Sequence, residues 1–396
     1  MIVFVDVLGL GITLPVMPLY AQNVFGASAT QITLLASVYF TAQFLASPRL
    51  GRLSDRVGRR PVLIISQAGT LVALLLSGSA ISLPLLYVAR IIDGLTGGNI
   101  SVAQAYLSDI TDVRNRARGL GLVSAAFGAG LIFGPAFGAL VAANFGPRVP
   151  FFFAAAVSAV TVTLSWRLLP ESLTPERRAA LAAASAAGTN ASRRQALLRT
   201  PGVLAIFFIG FLAQLSFFSF QSTFVLWTEA VLYPTRDPQF VQTAVGGFLT
   251  FVGVVGIITQ FWLVGPLVHR FGERSLVTGG TLIRGLAWAL MAALPVVGVM
   301  LPALLLIAVG GNVAIPALVA LLTYLVPGDQ RGFSIGMMES VQGVGRIAGP
   351  IAAGWLFEHV SPTSPFWLAA IVSAATVIAS TALWRARPAA ETNMSK

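Results

Sequence analysis

Apolar runs of 18 or more residues recur from one end of this 396-residue chain to the other, and most of its charge lies in the short stretches between them. In hydrocarbon no water is available to such a run, so its backbone N–H and C=O groups must be satisfied by the protein itself. That leaves α-helices or a closed β-barrel. A barrel would show alternating segments of about ten residues, and the sequence has none. Charged residues make up only 10% of the chain and hydrophobic residues 56%, too little charge to cover a soluble domain of this size. The expected class is an all-α, multi-pass membrane protein.

Twelve segments fit a membrane-crossing helix: 2–22, 30–50, 61–81, 83–107, 117–142, 149–169, 203–230, 241–265, 275–296, 300–326, 332–357 and 364–385. Each holds enough residues to cross about 30 Å of hydrocarbon with some tilt. A polar, Ala-rich connection at 170–201 divides them six and six. The expected organisation is an N-terminal six-helix bundle over 1–169, a cytoplasmic linker over 170–201 and a C-terminal six-helix bundle over 202–396. No cleavable signal peptide is visible, and a short leader ahead of the first helix is one expectation, since that helix starts almost at Met1.

The net charge of +11 would suit nucleic acid, but its placement does not. Of the 25 basic residues, 20 fall in one alternate set of loops and ends, Arg148 and Arg236 fall in the other, and Arg90, Arg284 and Arg346 lie inside spans. That asymmetry puts both termini in the cytoplasm; the membrane expected is a bacterial inner membrane. There is no cysteine, and His269 and His359 stand alone, so thiol chemistry and a transition-metal site are not expected. An enzyme would need a nucleophile–base or metal constellation that these residues do not supply. No phosphate-binding Gly-x-x-x-x-Gly-Lys-Ser/Thr run occurs. The expected partners are a small-molecule substrate, protons and the lipid bilayer, with no cofactor beyond a proton gradient, no nucleic acid and a monomeric chain.

The chain also repeats itself. Gly51-Arg52-Leu53-Ser54-Asp55-Arg56-Val57-Gly58-Arg59-Arg60 returns 214 residues later as Gly265-Pro266-Leu267-Val268-His269-Arg270-Phe271-Gly272-Glu273-Arg274. Gly121, Gly130, Gly134 and Pro135 return at an offset of 215 as Gly336, Gly345, Gly349 and Pro350. Two halves of one fold, joined by duplicated charged hairpins, are the pattern of a transporter.

The first hairpin resembles the loop signature between the second and third helices of the major facilitator superfamily. Arg90-Ile91-Ile92-Asp93-Gly94 is similar to its fourth-helix motif, with Asp93 where the family often has Gln. Gly130-Leu131-Ile132-Phe133-Gly134-Pro135 resembles its fifth-helix antiporter motif, with Ala139 in place of a further Gly. Pro15-Val16-Met17-Pro18-Leu19-Tyr20 is similar to the first-helix end of the twelve-span drug/proton antiporters, including the tetracycline exporters. The resemblance implies that the hairpin latches the cytoplasmic face and that the fifth helix, with Gly130, Gly134 and Pro135, seals the outer side.

Physically, Gly51 and Gly58 are expected to allow a tight turn. Asp55 is expected against a helix N-terminus, where the macrodipole favours an anion. Arg56, Arg59 and Arg60 are expected to pair with carboxylates such as Asp109 and Asp112. The candidate gating set is therefore Gly51, Asp55, Arg56, Gly58, Arg59, Arg60, Asp109, Gly130, Gly134 and Pro135. Charges inside spans are costly, about 2.5–3.5 kcal/mol each at the centre, which singles out Asp6, Arg90, Asp93, Arg284, Glu339 and Arg346. Glu339, Gln342 and Arg346 share one face of a helix. Candidate proton-coupling groups are Asp6, Arg90, Asp93 and Glu339, the last expected to be desolvated. Candidate substrate contacts are Gln43, Asn99, Gln214, Phe217, Gln221, Asn312, Glu339, Gln342 and Arg346.

The function expected is proton-coupled export of amphipathic small molecules by alternating access, the alternative being a symporter or uniporter of a sugar or other metabolite. A cysteine-free chain allows topology to be read directly. Single cysteines at Arg56, Arg177, Arg270 or Arg387 are expected to resist an impermeant maleimide added to intact cells, while Ala27, Arg148 and Arg236 replacements react. Labelling at position 177 from outside would reverse the orientation.

Overall fold

The computed structural model describes residues 2–97, 99–111, 116–174, 176, 178 and 190–384. Among them every regular element is helical. In chain order they are α1 (Ile2–Phe25), α2 (Ala29–Val57), α3 (Arg59–Gly78), α4 (Leu83–Thr96), α5 (Asn99–Ile110), α6 (Arg116–Phe145), α7 (Val149–Leu168), α8 (Asn190–Arg199), α9 (Val203–Trp227), α10 (Pro238–Ile258), α11 (Val264–Ala293), α12 (Val297–Leu325), α13 (Arg331–His359) and α14 (Ser364–Ser380). Exposed side chains such as Ile65, Val160, Trp166, Leu168, Ile371 and Ile378 are apolar, while Ser66, Gln67 and Ser77 are buried. A surface greasier than parts of the interior suits hydrocarbon, not water.

Eight helical stretches among the described residues are long and apolar enough to cross a membrane, against twelve expected segments, and each difference has a local cause. The segment 83–107 is interrupted after Thr96, where Gly97 makes a turn bond back to the Gly94 carbonyl. Segments 241–265 and 275–296 lie in one helical run, Pro238–Ala293, which passes through a π-helical turn at Thr259–Leu263, but Gly272, with φ +72° and ψ 160°, breaks that run between the two expected segments. Helix α13 bears Arg331, Glu339, Arg346 and Glu358, and α14 has only 17 residues.

The expected hairpin turn is also corrected. Helix α2 continues through Gly51 to Val57, so Gly51 lies inside a helix with no atom within 4 Å of where its β-carbon would stand. The chain reverses at Gly58 alone, whose φ of +115° is strained for any side chain. The second copy repeats this geometry: Gly265 is helical and open, and Gly272 has φ +72°.

The chain divides into two compact units, Met1–Gly188 with Thr235–Thr250, and Thr189–Pro234 with Phe251–Lys396. The segment 235–250 was expected with the second set of helices. It belongs to the first because α10 begins against α6: a β-carbon at Gly246 would lie 2.3 Å from that of Ala139, and Gln239 Nε2 donates to the Ala143 carbonyl.

Within the first unit α1 and α6 approach closely. A β-carbon at Gly134 would come within 2.7 Å of the Gly11 Cα, and one at Gly11 within 2.9 Å of the Gly130 carbonyl oxygen. In the second unit α9 and α13 do the same: a β-carbon at Gly349 would lie 2.8 Å from the Leu215 carbonyl oxygen, and one at Gly345 would lie 2.6 Å from that of Phe211. Ser219 Oγ donates to the Gly349 carbonyl at 3.1 Å. Small residues permit this backbone contact, the main source of helix affinity where lipid removes the hydrophobic drive. Gly134→Val should therefore destabilise the solubilised protein by about 1–3 kcal/mol, while Gly51→Ala, in open space, should be neutral or slightly stabilising. Equal melting temperatures for the two variants would contradict the packing argument.

Candidate functional site

The first hairpin is organised around Arg59. Its side chain is 8% exposed and pairs with Asp55 Oδ1 through Nη1 at 2.6 Å and with Asp109 Oδ2 through Nε at 3.2 Å. Nη1 also donates to Ser54 Oγ at 2.6 Å. Asp55 lies four residues before Arg59, across the reversal at Gly58, and Asp109 arrives from the end of α5. The expected Arg–carboxylate cluster thus forms through Arg59. Asp112 lies outside the described residues, and Arg56 is exposed.

Asp55 was expected at a helix N-terminus, but the anion at the start of α3 is Glu171. Its Oε1 accepts from the Arg59 N–H at 2.8 Å, and its Oε2 from the Arg60 N–H at 3.2 Å. These are donors left without helical partners in the first turn. Asp55, four residues before Arg59, is drawn instead to the guanidinium. Oε1 of Glu171 also accepts from the N–H groups of Ser172 and Leu173. Three further ties hold the same stretch: Arg60 Nη2 to the Trp166 carbonyl, Tyr106 OH to the Pro170 carbonyl, and Ser172 Oγ to Asp109 Oδ2. Leu173 is buried. Sequence reasoning missed Glu171 because it took Pro170-Glu171-Ser172 as the start of a linker. The available signal was a lone carboxylate just after a helix end, next to a basic hairpin.

The second hairpin keeps the turn, with a different partner for its carboxylate. Glu273 accepts from Tyr324 OH at 3.1 Å.

The intramembrane charges resolve into two pairs and a remainder. Arg90 Nη1 and Asp93 Oδ2 are 3.2 Å apart on α4, and Arg90 Nη2 reaches Ser77 Oγ on α3 at 3.4 Å. Arg346 Nη2 and Glu339 Oε2 are 3.0 Å apart on α13, with side-chain exposures of 27% and 58%. Glu339 was expected to be desolvated; it is more than half open and paired to Arg346, because the two lie two turns apart on the same face. Gln342, between them, is buried and accepts from Gln214 Nε2 of α9 at 3.3 Å. So α13 does present a polar stripe, divided between an open ion pair and a buried amide contact. Asp6 is half-buried on α1, well away in sequence from either pair.

The remaining candidates scatter. Gln43 Nε2 is committed to the Gly97 carbonyl at 2.9 Å and Tyr39 OH at 3.2 Å, a tie between α2 and the end of α4. Asn312 Nδ2 donates to the Ala308 carbonyl on its own helix. Phe217 packs edge-on against Phe218, and Gln221 is half-buried on α9. The side chain of Asn99 lies outside the described residues.

The sequence profile of the Major Facilitator Superfamily matches residues 1–261 and 215–395. The chain belongs to this superfamily. Its matches among characterised proteins include the class C tetracycline resistance protein of Escherichia coli, 32% identical over 377 residues, or 94% of this chain and 92% of that one. They also include multidrug resistance protein 2 of Bacillus subtilis (strain 168), 29% identical over 90% of this chain and 87% of that one. A bacterial homologue of the human lysosomal transporter Spinster, solved inward-facing and unoccupied, superposes with a TM-score of 0.79 at 14% identity, covering 98% of this chain and 96% of that one.

In this member of the superfamily the acceptors that Glu171 supplies set an order among its substitutions. Glu171→Ala removes both the charge and the acceptors at the start of α3, whereas Glu171→Gln keeps an acceptor. Because the group is open to water, the loss for Ala is expected near 1 kcal/mol and for Gln below it. Melting temperature and trypsin cleavage at Arg178 should change in that order; a wild-type profile for Glu171→Ala would remove its structural role.

Proposed function

We propose that the chain is a proton-coupled exporter of small amphipathic molecules, working by alternating access of two six-helix bundles across twelve spans in a bacterial inner membrane. Support for the export direction comes from the tetracycline and multidrug resistance relatives and from the fifth-helix motif on α6. Support for a central ion-coupled step comes from one observation above all, the open Glu339–Arg346 pair within the polar stripe of α13.

An intrahelical pair of this kind is easily exchanged. A carboxylate held by one arginine and reached by water can take up a proton, or release Arg346 to a competing cationic group on a solute. If proton and substrate bind the carboxylate alternately, each lowers the affinity for the other, and that linkage is sufficient for exchange. The Arg90–Asp93 pair offers a second carboxylate, more enclosed, and Asp6 a third on α1. The Arg59 cluster with Asp55, Asp109 and Glu171 would act as the cytoplasmic latch, made and broken as the bundles alternate.

The test is transport by Glu339→Gln in proteoliposomes with an imposed pH gradient. The variant is expected to lose uphill, proton-driven export of a lipophilic drug while retaining downhill exchange. Uphill transport with wild-type pH dependence would falsify the assignment of Glu339, and Asp6→Asn and Asp93→Asn would then discriminate between the other two carboxylates.

A further inference from the structure

Helix α2 carries a basic stripe at the end that leads into the first hairpin. Arg49, Arg52 and Arg56 follow Leu45 at spacings of four, seven and eleven residues, so the four share one face of the helix. All four are exposed, Leu45 by 51%. Asp55 and Asp109 of the same hairpin pair with Arg59, and none of the three stripe arginines has a carboxylate partner among the described residues. Two of the three heads are also turned in an unusual direction. Arg49 Nη1 donates to the Leu45 carbonyl at 2.5 Å, and Arg52 Nε donates to the Pro48 carbonyl at 3.2 Å. Each guanidinium is thereby folded back by one turn, toward the middle of α2.

An arginine near the end of a membrane helix ordinarily lays its stem along the apolar surface and extends its head outward to water. Here both charges are held beside exposed Leu45 and Pro48, on a surface whose solvent is lipid. A guanidinium has five N–H donors; each of these two spends one on its own helix, and the rest find no acceptor among the described residues. The second copy of the hairpin narrows the reading. At the offset of 214, Arg56 returns as Arg270, whereas Arg49 and Arg52 return as Leu263 and Pro266. An orientation signal needs only basic residues close to a span, at no fixed position. This pair is confined to one half of the chain and to one depth.

We propose that this face of α2 is a docking surface for one anionic phospholipid, with its phosphodiester at Arg49 and Arg52 and an acyl chain along Leu45. The guanidinium fork matches two phosphate oxygens, and such charge-assisted contacts are the strong class of hydrogen bond. Arg56, farther along the stripe, attracts the charge of the headgroup. A lipid brings both parts the surface fits, an anion and a hydrocarbon chain. A free phosphate brings only the anion, and on an exposed face that contact alone is weak. The surface is independent of proton coupling and of the solute transported.

The test is native mass spectrometry of the full chain in an uncharged detergent, titrated with phosphatidylglycerol, with phosphatidylcholine of the same acyl chains, and with inorganic phosphate. One phosphatidylglycerol is expected to be retained at concentrations about tenfold below those that phosphatidylcholine needs. Arg49→Leu combined with Arg52→Gln is expected to bring phosphatidylglycerol to the level of phosphatidylcholine; leucine is what the second copy carries at the first position. Leu45→Asp keeps both arginines and sets a carboxylate one turn before Arg49. It is expected to weaken retention to a similar degree, so it tests the surface by a second route. Arg167→Gln combined with Arg194→Gln removes two exposed arginines elsewhere in the chain and is expected to leave retention unchanged. Inorganic phosphate in about a hundredfold excess is expected not to displace the lipid. Equal retention of the two lipids, wild-type retention by the Arg49→Leu, Arg52→Gln variant, the same loss in the Arg167, Arg194 control, or displacement by inorganic phosphate overturns the proposal.

Discussion

Backbone-to-backbone contact between paired helices is the interaction on which the rest of this molecule depends. In the first unit α1 and α6 meet through Gly11, Gly130 and Gly134, and in the second α9 and α13 meet through Gly345 and Gly349, at distances that admit no β-carbon. Lipid is as apolar as leucine, so large hydrophobic side chains give little reason for one helix to prefer another. Shape supplies the preference instead. Once these pairs are fixed, the polar faces of the same helices have defined partners. Gln342 meets Gln214 because α13 is held against α9, and Gly210 leaves room for the Gln342 amide. The same constraint seats the start of α10 on α6 through Gly246.

Much of this was legible in the sequence, and for a physical reason. Helices in a bilayer are long and apolar, so they announce themselves, and the glycines that permit close packing, Gly130 and Gly134 with Gly345 and Gly349, recur at an offset of 215. The structure gives both copies the same geometry, down to the positive φ at Gly58 and Gly272. Local chemistry was partly legible: the Arg59–Asp109 pair and the Arg90–Asp93 pair follow from charge and spacing. What sequence could not supply were contacts between groups far apart in the chain or facing an unknown environment. Glu171 meets the start of α3 across more than 100 residues. The openness of Glu339 depends on which face of α13 the packing covers. Gly51 was misjudged because a glycine beside charged residues suggests a turn, whereas the helix simply runs on to Val57.

The charged groups fall into two physical kinds. In the first hairpin Arg59 meets Asp55, Asp109 and Ser54, and Glu171 accepts from four backbone N–H groups, so the cost of losing one contact is spread. Inside the spans Arg90 and Arg346 each hold one carboxylate on their own helix, so a change of protonation at Asp93 or Glu339 takes away that arginine's counter-charge.

The two hairpins share a turn and differ in what surrounds it. Around Gly58 stand Asp55, Arg59, Asp109 and Glu171; around Gly272 stand Glu273 and the phenol of Tyr324. A duplicated gene begins with two equal copies, and here their electrostatic content has since separated. Ions interlocked across four parts of the chain restrict each other's substitution, since a change in one strands the charge of the rest. The contact of Glu273 with a neutral phenol imposes no such debt. The second copy is thus the freer of the two to drift, and lineages of this chain should record more accepted changes around Gly272 than around Gly58.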